Sequence, residues 1–149
     1  MKSSFLLMGL IGFVFFSCTK FSADCDHKSE PKSLDGTWKM VLVKDNSTSA
    51  VTTKPSTVQG DVILTFISNS PTTGSFTGKT PSNDIGTNAY TTGPNQRLSI
   101  PNLNMTKVGE TSWGGLFVDN IRNAQQYSFE AGEKLNIKTS NKILAFNKQ

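Results

Sequence analysis

The run Leu34-Asp35-Gly36-Thr37-Trp38-Lys39-Met40-Val41-Leu42-Val43-Lys44 decides the fold class. An Asp-Gly turn signal leads into β-branched and aromatic residues, the signature of a strand. Trp38, Met40 and Leu42 alternate onto one face, and Thr37, Lys39, Val41 and Val43 onto the other. That two-residue period is what a half-buried strand requires.

Outward from this run the same pattern recurs. Asn46 to Gly60 is rich in Ser, Thr and Pro and reads as a loop, whose two readings are a solvated connection and a contact surface on a rigid sheet. Asp61 to Ile67 is a second strand, with Val62, Leu64 and Phe66 on one face. Thr73 to Lys79 surrounds Phe76 with glycines, and Asp84 to Thr92 carries Ile85, Ala89 and Tyr90 before Gly93-Pro94-Asn95 forces a turn. Leu98 and Ile100 alternate up to Pro101, and Leu103 and Met105 alternate beyond it. Strands follow at Gln126–Glu130, Lys134–Thr139 and Lys142–Asn147, separated by Ala131-Gly132-Glu133 and Ser140-Asn141. Such close spacing predicts an antiparallel sandwich or barrel and excludes βαβ units.

One segment departs from the period of two. From Ser112 to Ala124 the apolar positions 113, 116, 117, 121 and 124 fall at helical spacing. Thr111 or Ser112 can cap the first turn. The chain therefore predicts a mainly β domain, an antiparallel barrel-like sheet of about eight short strands with one short amphipathic helix at about 112–124.

The amino terminus carries an address. Lys2 precedes twelve apolar or glycine residues, Phe5 to Phe16, followed by Ser17 and Cys18. A bilayer core needs about 20 residues in a helix, so the run is too short to span. Charge, apolar core and small-residue exit form the layout of an export signal. Phe15-Phe16-Ser17-Cys18 resembles the lipobox of bacterial lipoproteins, in which the cysteine is lipidated and becomes the first mature residue. Phe15 and Phe16 depart from its usual Leu and small residue. The expected plan is a lipoprotein signal peptide at 1–17, a flexible tether at 18–33 and the β domain at 34–149. Lipidation of Cys18 would anchor the chain, most naturally at the outer membrane facing the periplasm. The alternative is a secreted, non-lipidated protein with a Cys18–Cys25 disulfide, which an oxidising compartment permits.

Composition narrows the function. Of 15 basic residues Lys2 lies in the signal, leaving 14 against 11 acidic and a net charge of about +3. The basic residues are scattered and only two are Arg, whereas nucleic-acid readers cluster them, so nucleic acid is not an expected partner. The only histidine, His27, lies in the tether between Asp26 and Lys28. A Ser-His-Asp or Cys-His set within the domain is therefore ruled out, and no phosphate loop or zinc-binding helix motif is present. Asp35, Asp45, Asp61, Asp84, Glu110, Asp119, Glu130 and Glu133 sit mostly at turns and element ends, where solvated acids are expected. We expect no enzyme, no catalytic residue, no metal and no cofactor.

The order of motifs resembles a known family. Leu34-x-Gly36-x-Trp38 is followed by Ile63-Leu64-Thr65-Phe66, Gly74-Ser75-Phe76-Thr77-Gly78, Asn88-Ala89-Tyr90, Leu98-Ser99-Ile100 and Thr106. Trp113 and Phe117 come next, then Tyr127-Ser128-Phe129, Leu135-Asn136-Ile137 and Leu144-Ala145-Phe146. This looks like the META, or HslJ-like, domain within the broader bacterial lipocalin-like lipoproteins. The resemblance implies a compact antiparallel barrel with one helix, often attached to the envelope, and brings no catalytic residues. The family's domain cysteines are absent here, because 84–88 reads Asp-Ile-Gly-Thr-Asn and 105–108 reads Met-Thr-Lys-Val. The expected function is a membrane-anchored, non-catalytic envelope protein that binds a partner or stabilises the envelope. The alternative is a carrier of a small apolar ligand in a lipocalin-like barrel, since a small barrel is either filled by side chains or holds one such ligand.

Overall fold

The computed structural model describes residues 33–130 and 133–149. The signal, Cys18, Cys25, His27 and the tether up to Lys32 lie outside the described residues, as do Ala131 and Gly132. What is described is a closed antiparallel barrel of eight strands, one additional strand and one helix.

The strands are β1 (Gly36–Asp45), β2 (Val51–Thr53), β3 (Ile63–Ser68), β4 (Thr73–Lys79), β5 (Asp84–Gly93), β6 (Arg97–Ser99), β7 (Ala124–Glu130), β8 (Lys134–Thr139) and β9 (Lys142–Lys148). The helix α1 (Ser112–Ile121) lies between β6 and β7. The barrel runs β1-β3-β4-β5-β6-β7-β8-β9, and β9 closes it onto β1 from Trp38↔Lys148 to Asp45↔Lys142. The opposite edge of β1 is divided: Gly36–Lys39 pairs with β3, and Leu42–Lys44 pairs with β2. Its ten residues are long enough to serve both.

Four features differ from the sequence reading. The register of β1 against β9 slips between Met40 and Leu42, so Val41 is an extra residue. From there the faces exchange: Val43 is buried and Leu42 is only half-buried. Three consecutive apolar residues carry no phase of their own, and the bulge chooses it. The segment read as a loop contains β2, whose residues are all exposed and so leave no alternation to detect. The alternating stretch from Leu103 to Met105 forms no strand. Met105 forms an isolated bridge with Ile85, while Gly86 N–H donates to Asn104 O (3.1 Å) and Thr106 N–H to Asp84 O (3.0 Å). The helix also ends at Ile121, three residues short of the predicted limit, because Ala124 already pairs with Thr139 of β8.

The interior is filled by aromatic and branched side chains. Trp38, Phe66, Phe76, Trp113, Phe117 and Phe146 are essentially fully buried and share one core. The rings of Phe66 and Phe76 lie 5.2 Å apart, and Tyr90 meets Phe66 edge-on at 5.4 Å. Two glycines of the Gly-Ser-Phe-Thr-Gly motif make this possible. A Cβ on Gly74 would strike the Tyr90 ring, and one on Gly78 the Ile63 carbonyl. The Trp38 indole N–H donates to Leu34 O (2.7 Å), whereas Trp113 Nε1 is buried without a partner among the described residues. That omission costs about 1–3 kcal/mol, against about 1.5–3 kcal/mol or more for burying a large apolar side chain.

The strand directions define two ends. Ser33–Asp35, the turns after β3 and β5 and the carboxyl terminus lie at the amino-terminal end. The β4–β5 turn, the 100–111 connection and α1 lie at the opposite, helix end.

Trp38 alternates with Met40 and Phe129 with Tyr127 along their strands, a pattern that predicts both side chains in the core. Their rings stack at 5.9 Å, yet Trp38 is fully buried while Phe129 is only half-buried. Trp38→Ala should therefore destabilise by about 3–5 kcal/mol, and Phe129→Ala by roughly half of that, about 1.5–2.5 kcal/mol. Denaturant unfolding of the two variants measures the difference.

Candidate functional site

Candidate residues from the sequence fall in three places. Cys18, the predicted lipidation site, lies outside the described residues. The aromatic residues that would line a lumen are packed against one another, and the hollows described below all open on the surface. The segment 46–60 is exposed but pinned. Asp45 accepts from Ser47 N–H (2.9 Å), Thr48 N–H (2.9 Å) and Ser47 Oγ–H (2.6 Å), and pairs with Lys142 at 2.6 Å. The Lys142 contact, followed by the Ser47 and Thr48 hydrogen bonds, holds its carboxyl far below the usual carboxylate range. Asp61 bridges Lys54 (2.8 Å) and Lys39 (3.0 Å), which depress its pKa in that order.

The most organised polar cluster is at the helix end, around two residues that the sequence reading did not single out, Asn83 and Glu110. Asn83 is buried in the β4–β5 turn. Its Oδ1 accepts from Val108 N–H (2.7 Å) and Thr106 Oγ–H (3.0 Å), while its Nδ2 donates to Val108 O (3.0 Å) and Glu110 Oε2 (2.9 Å). One side chain thus holds the 106–110 segment against the barrel. Glu110 also accepts from Thr80 Oγ–H and from Thr111 N–H (2.9 Å). Burial raises the Glu110 pKa, but the hydrogen bonds from Thr80, Asn83 and Thr111 outweigh it and hold the carboxyl below its ordinary value. Thr111 caps α1 as the sequence predicts, its Oγ1 accepting from Gly114 N–H (3.1 Å). A carboxylate beside these free amides is also favoured by the helix dipole.

Two residues of the resembling motifs prove to be ties of the same kind. Asn88 is buried, accepts from Asn104 N–H, and donates to Gly86 O (2.7 Å) and Asn104 O (3.2 Å). Thr106 accepts from Asp84 N–H (3.0 Å) as well as donating to Asn83.

Between the tied segment and α1 runs a groove of about 460 Å³, lined on its apolar side by Leu103, Met105, Val108 and Val118. Its lining includes Glu110, just before the N-cap of α1, and Arg122, the C-cap. A second hollow, of about 330 Å³, lies at the amino-terminal end between Leu34, Asp35, Tyr90 and Tyr127. Burial raises the Tyr90 pKa, and its hydroxyl meets Ser68 Oγ at 3.2 Å. A third, of about 870 Å³ and mostly polar, covers the seam where β6 and β7 share only the pair Arg97↔Gln126. Among the described residues no three His, Cys, Asp or Glu converge as metal ligands, and no helix is long and apolar enough to cross a membrane.

No family model and no curated protein matches this chain. Two solved structures are similar to it. One is a DUF4847 family protein from Bacteroides vulgatus, 18% identical with a TM-score of 0.55, the match covering 77% of this chain and 94% of that one. The other is a protein from Burkholderia xenovorans, 20% identical with a TM-score of 0.49, covering 77% and 82%. At such identity the first likeness is one of fold alone.

The cluster predicts a pH dependence. The lowered Glu110 pKa means that its ionised form favours the folded state, so this contribution is present above the ordinary value of 4.5 and is lost as pH falls through the lower folded value. Glu110→Gln should flatten the acid limb of stability below about pH 4.5, read from denaturant midpoints across pH. Asn83→Ala, which orphans buried partners, should cost about 1–3 kcal/mol near neutral pH and less once Glu110 is protonated, because the amide it removes donates to that carboxylate.

Proposed function

We propose that this protein is a lipid-anchored, non-catalytic protein of the bacterial envelope that works through its surface and not through its lumen. The observation that carries the reading is the run Phe5–Phe16 ending at Ser17-Cys18. A cysteine directly at the end of a short export signal stands where a lipid-transferring enzyme would meet it. The described domain supports the second half. Its six largest core aromatics are essentially fully buried, so an apolar ligand in the lumen would have to displace packed rings. The order of motifs supports placing the chain with the META and lipocalin-like lipoproteins, and Cys18 would direct it to the outer membrane on its periplasmic side.

Cys18 also separates the alternatives. Cells supplied with a tagged fatty acid should label the wild-type protein and leave Cys18→Ser unlabelled and absent from the membrane fraction. An unlabelled wild type carrying a Cys18–Cys25 disulfide would sink the anchored reading in favour of a secreted protein.

A further inference from the structure

The groove at the helix end combines features found together nowhere else among the three hollows. We propose that it binds a small amphipathic anion, with the apolar body along Leu103, Met105 and Val118 and the anionic head on Arg122.

Size and chemistry agree. A hollow of about 460 Å³ lies within the roughly 300–1,000 Å³ of small-molecule sites, which are mostly apolar with a few placed polar groups. The hollow over the β6–β7 seam is larger but predominantly polar, being lined mainly by Thr, Ser, Gln and turn residues. Val108, 64% exposed, stands on the wall formed by the 106–110 segment. Exposed apolar side chains are ordinary on a mobile loop. Here the segment is fixed by both polar atoms of buried Asn83, so the wall stands before anything binds.

Charge sets the direction. Arg122, exposed at the end of α1, makes one long hydrogen bond, Nη2 to Leu103 O at 3.4 Å, and joins no ion pair among the described residues. The rest of its donor fork has no partner among the described residues and is available to an anionic group. Lys107, also on the lining, likewise has no ion pair among the described residues. The carboxylate of Glu110 is at the opposite end of α1, with its oxygens occupied by Thr80, Asn83 and Thr111. An anion is therefore drawn to the Arg122 end and repelled from the Glu110 end, which leaves the middle for an apolar body.

The proposal is independent of the anchor, and its test does not involve Cys18. Octanoate and octanol differ in the head group and share the apolar body. Titrated into isotope-labelled protein, octanoate should shift amides of 103–108 and 116–122 saturably and bind about tenfold tighter than octanol, the difference expected of a charge-assisted hydrogen bond. Arg122→Gln should bring octanoate to the octanol level and leave octanol unchanged. Val118→Asp should abolish both while the remaining amide spectrum stays folded. Equal binding of the two probes, saturable shifts confined to other residues, or no saturable shift would each overturn the assignment. So would movement of the same amides with protein concentration alone, which would make the groove a contact between two copies of this chain.

Discussion

Barrel closure rests on the pairing of β1 with β9, and that pairing works because β1 carries a bulge. Along its inner edge β1 must follow β9 for seven register pairs. Along its outer edge it must leave β3 after Lys39 and take up β2 at Leu42. A bulge bends a strand and increases its twist, and the extra residue at Val41 falls between those two partners. Its consequence for the core is direct. Trp38 and Met40 point inward before it and Val43 after it, so both halves of a strongly bent strand contribute to one interior. The Trp38 N–H bond to Leu34 O then draws the chain leading into β1 across the amino-terminal end and buries Leu34 there.

The helix end meets a different constraint. A strand-to-strand turn closes most of the barrel, but β6 is followed by a connection and a helix before β7 begins. The β6–β7 seam is correspondingly thin, with a single register pair. Apolar packing of Trp113, Phe117 and Ile121 holds the helix. Apart from the bridge of Met105 with Ile85 the connection pairs with no strand, and its backbone would be left without a ladder. Asn83, Asn88 and Thr106 supply the missing hydrogen bonds from side chains. A buried polar network of this kind is worth having only when every member is satisfied, and both amide atoms of Asn83 and of Asn88 are engaged.

What was legible in the sequence follows from which forces leave a periodic trace. Val62, Leu64 and Phe66, or Leu135 and Ile137, lie on strands with one buried face, and alternation there gives strand and phase together. Trp113, Phe117 and Ile121 gave the helix in the same way. The bulge at Val41 was invisible because all its neighbours are apolar, and β2 because all its residues are polar or exposed. Asn83 and Glu110 left no pattern, since most of their partners are 23 to 30 residues away and are backbone or hydroxyl groups. Asn88 and Thr106 stood out only within the order of motifs, and the reason for them is hydrogen bonding to the connection and not chemistry on a ligand.

The two ends of the barrel bear differently on the proposed anchor. The chain enters the domain at Ser33, beside the carboxyl terminus and opposite the helix end. Fourteen residues lie between Cys18 and Ser33, and the fifteen steps from one to the other at full extension reach at most about 50 Å. A lipid on Cys18 would thus keep the amino-terminal end within a short distance of the bilayer. It would leave the groove at the helix end free to face away from it. A site on the membrane-distal end samples what diffuses through the surrounding compartment and is not committed to lipids of the anchoring leaflet. That separation fits a soluble amphipathic anion better than a bilayer lipid as the groove's occupant. With the proposed anchor, an Arg122 facing away from the bilayer would also lie beyond the reach of its negative surface potential, which falls off within a Debye length of about 8–10 Å.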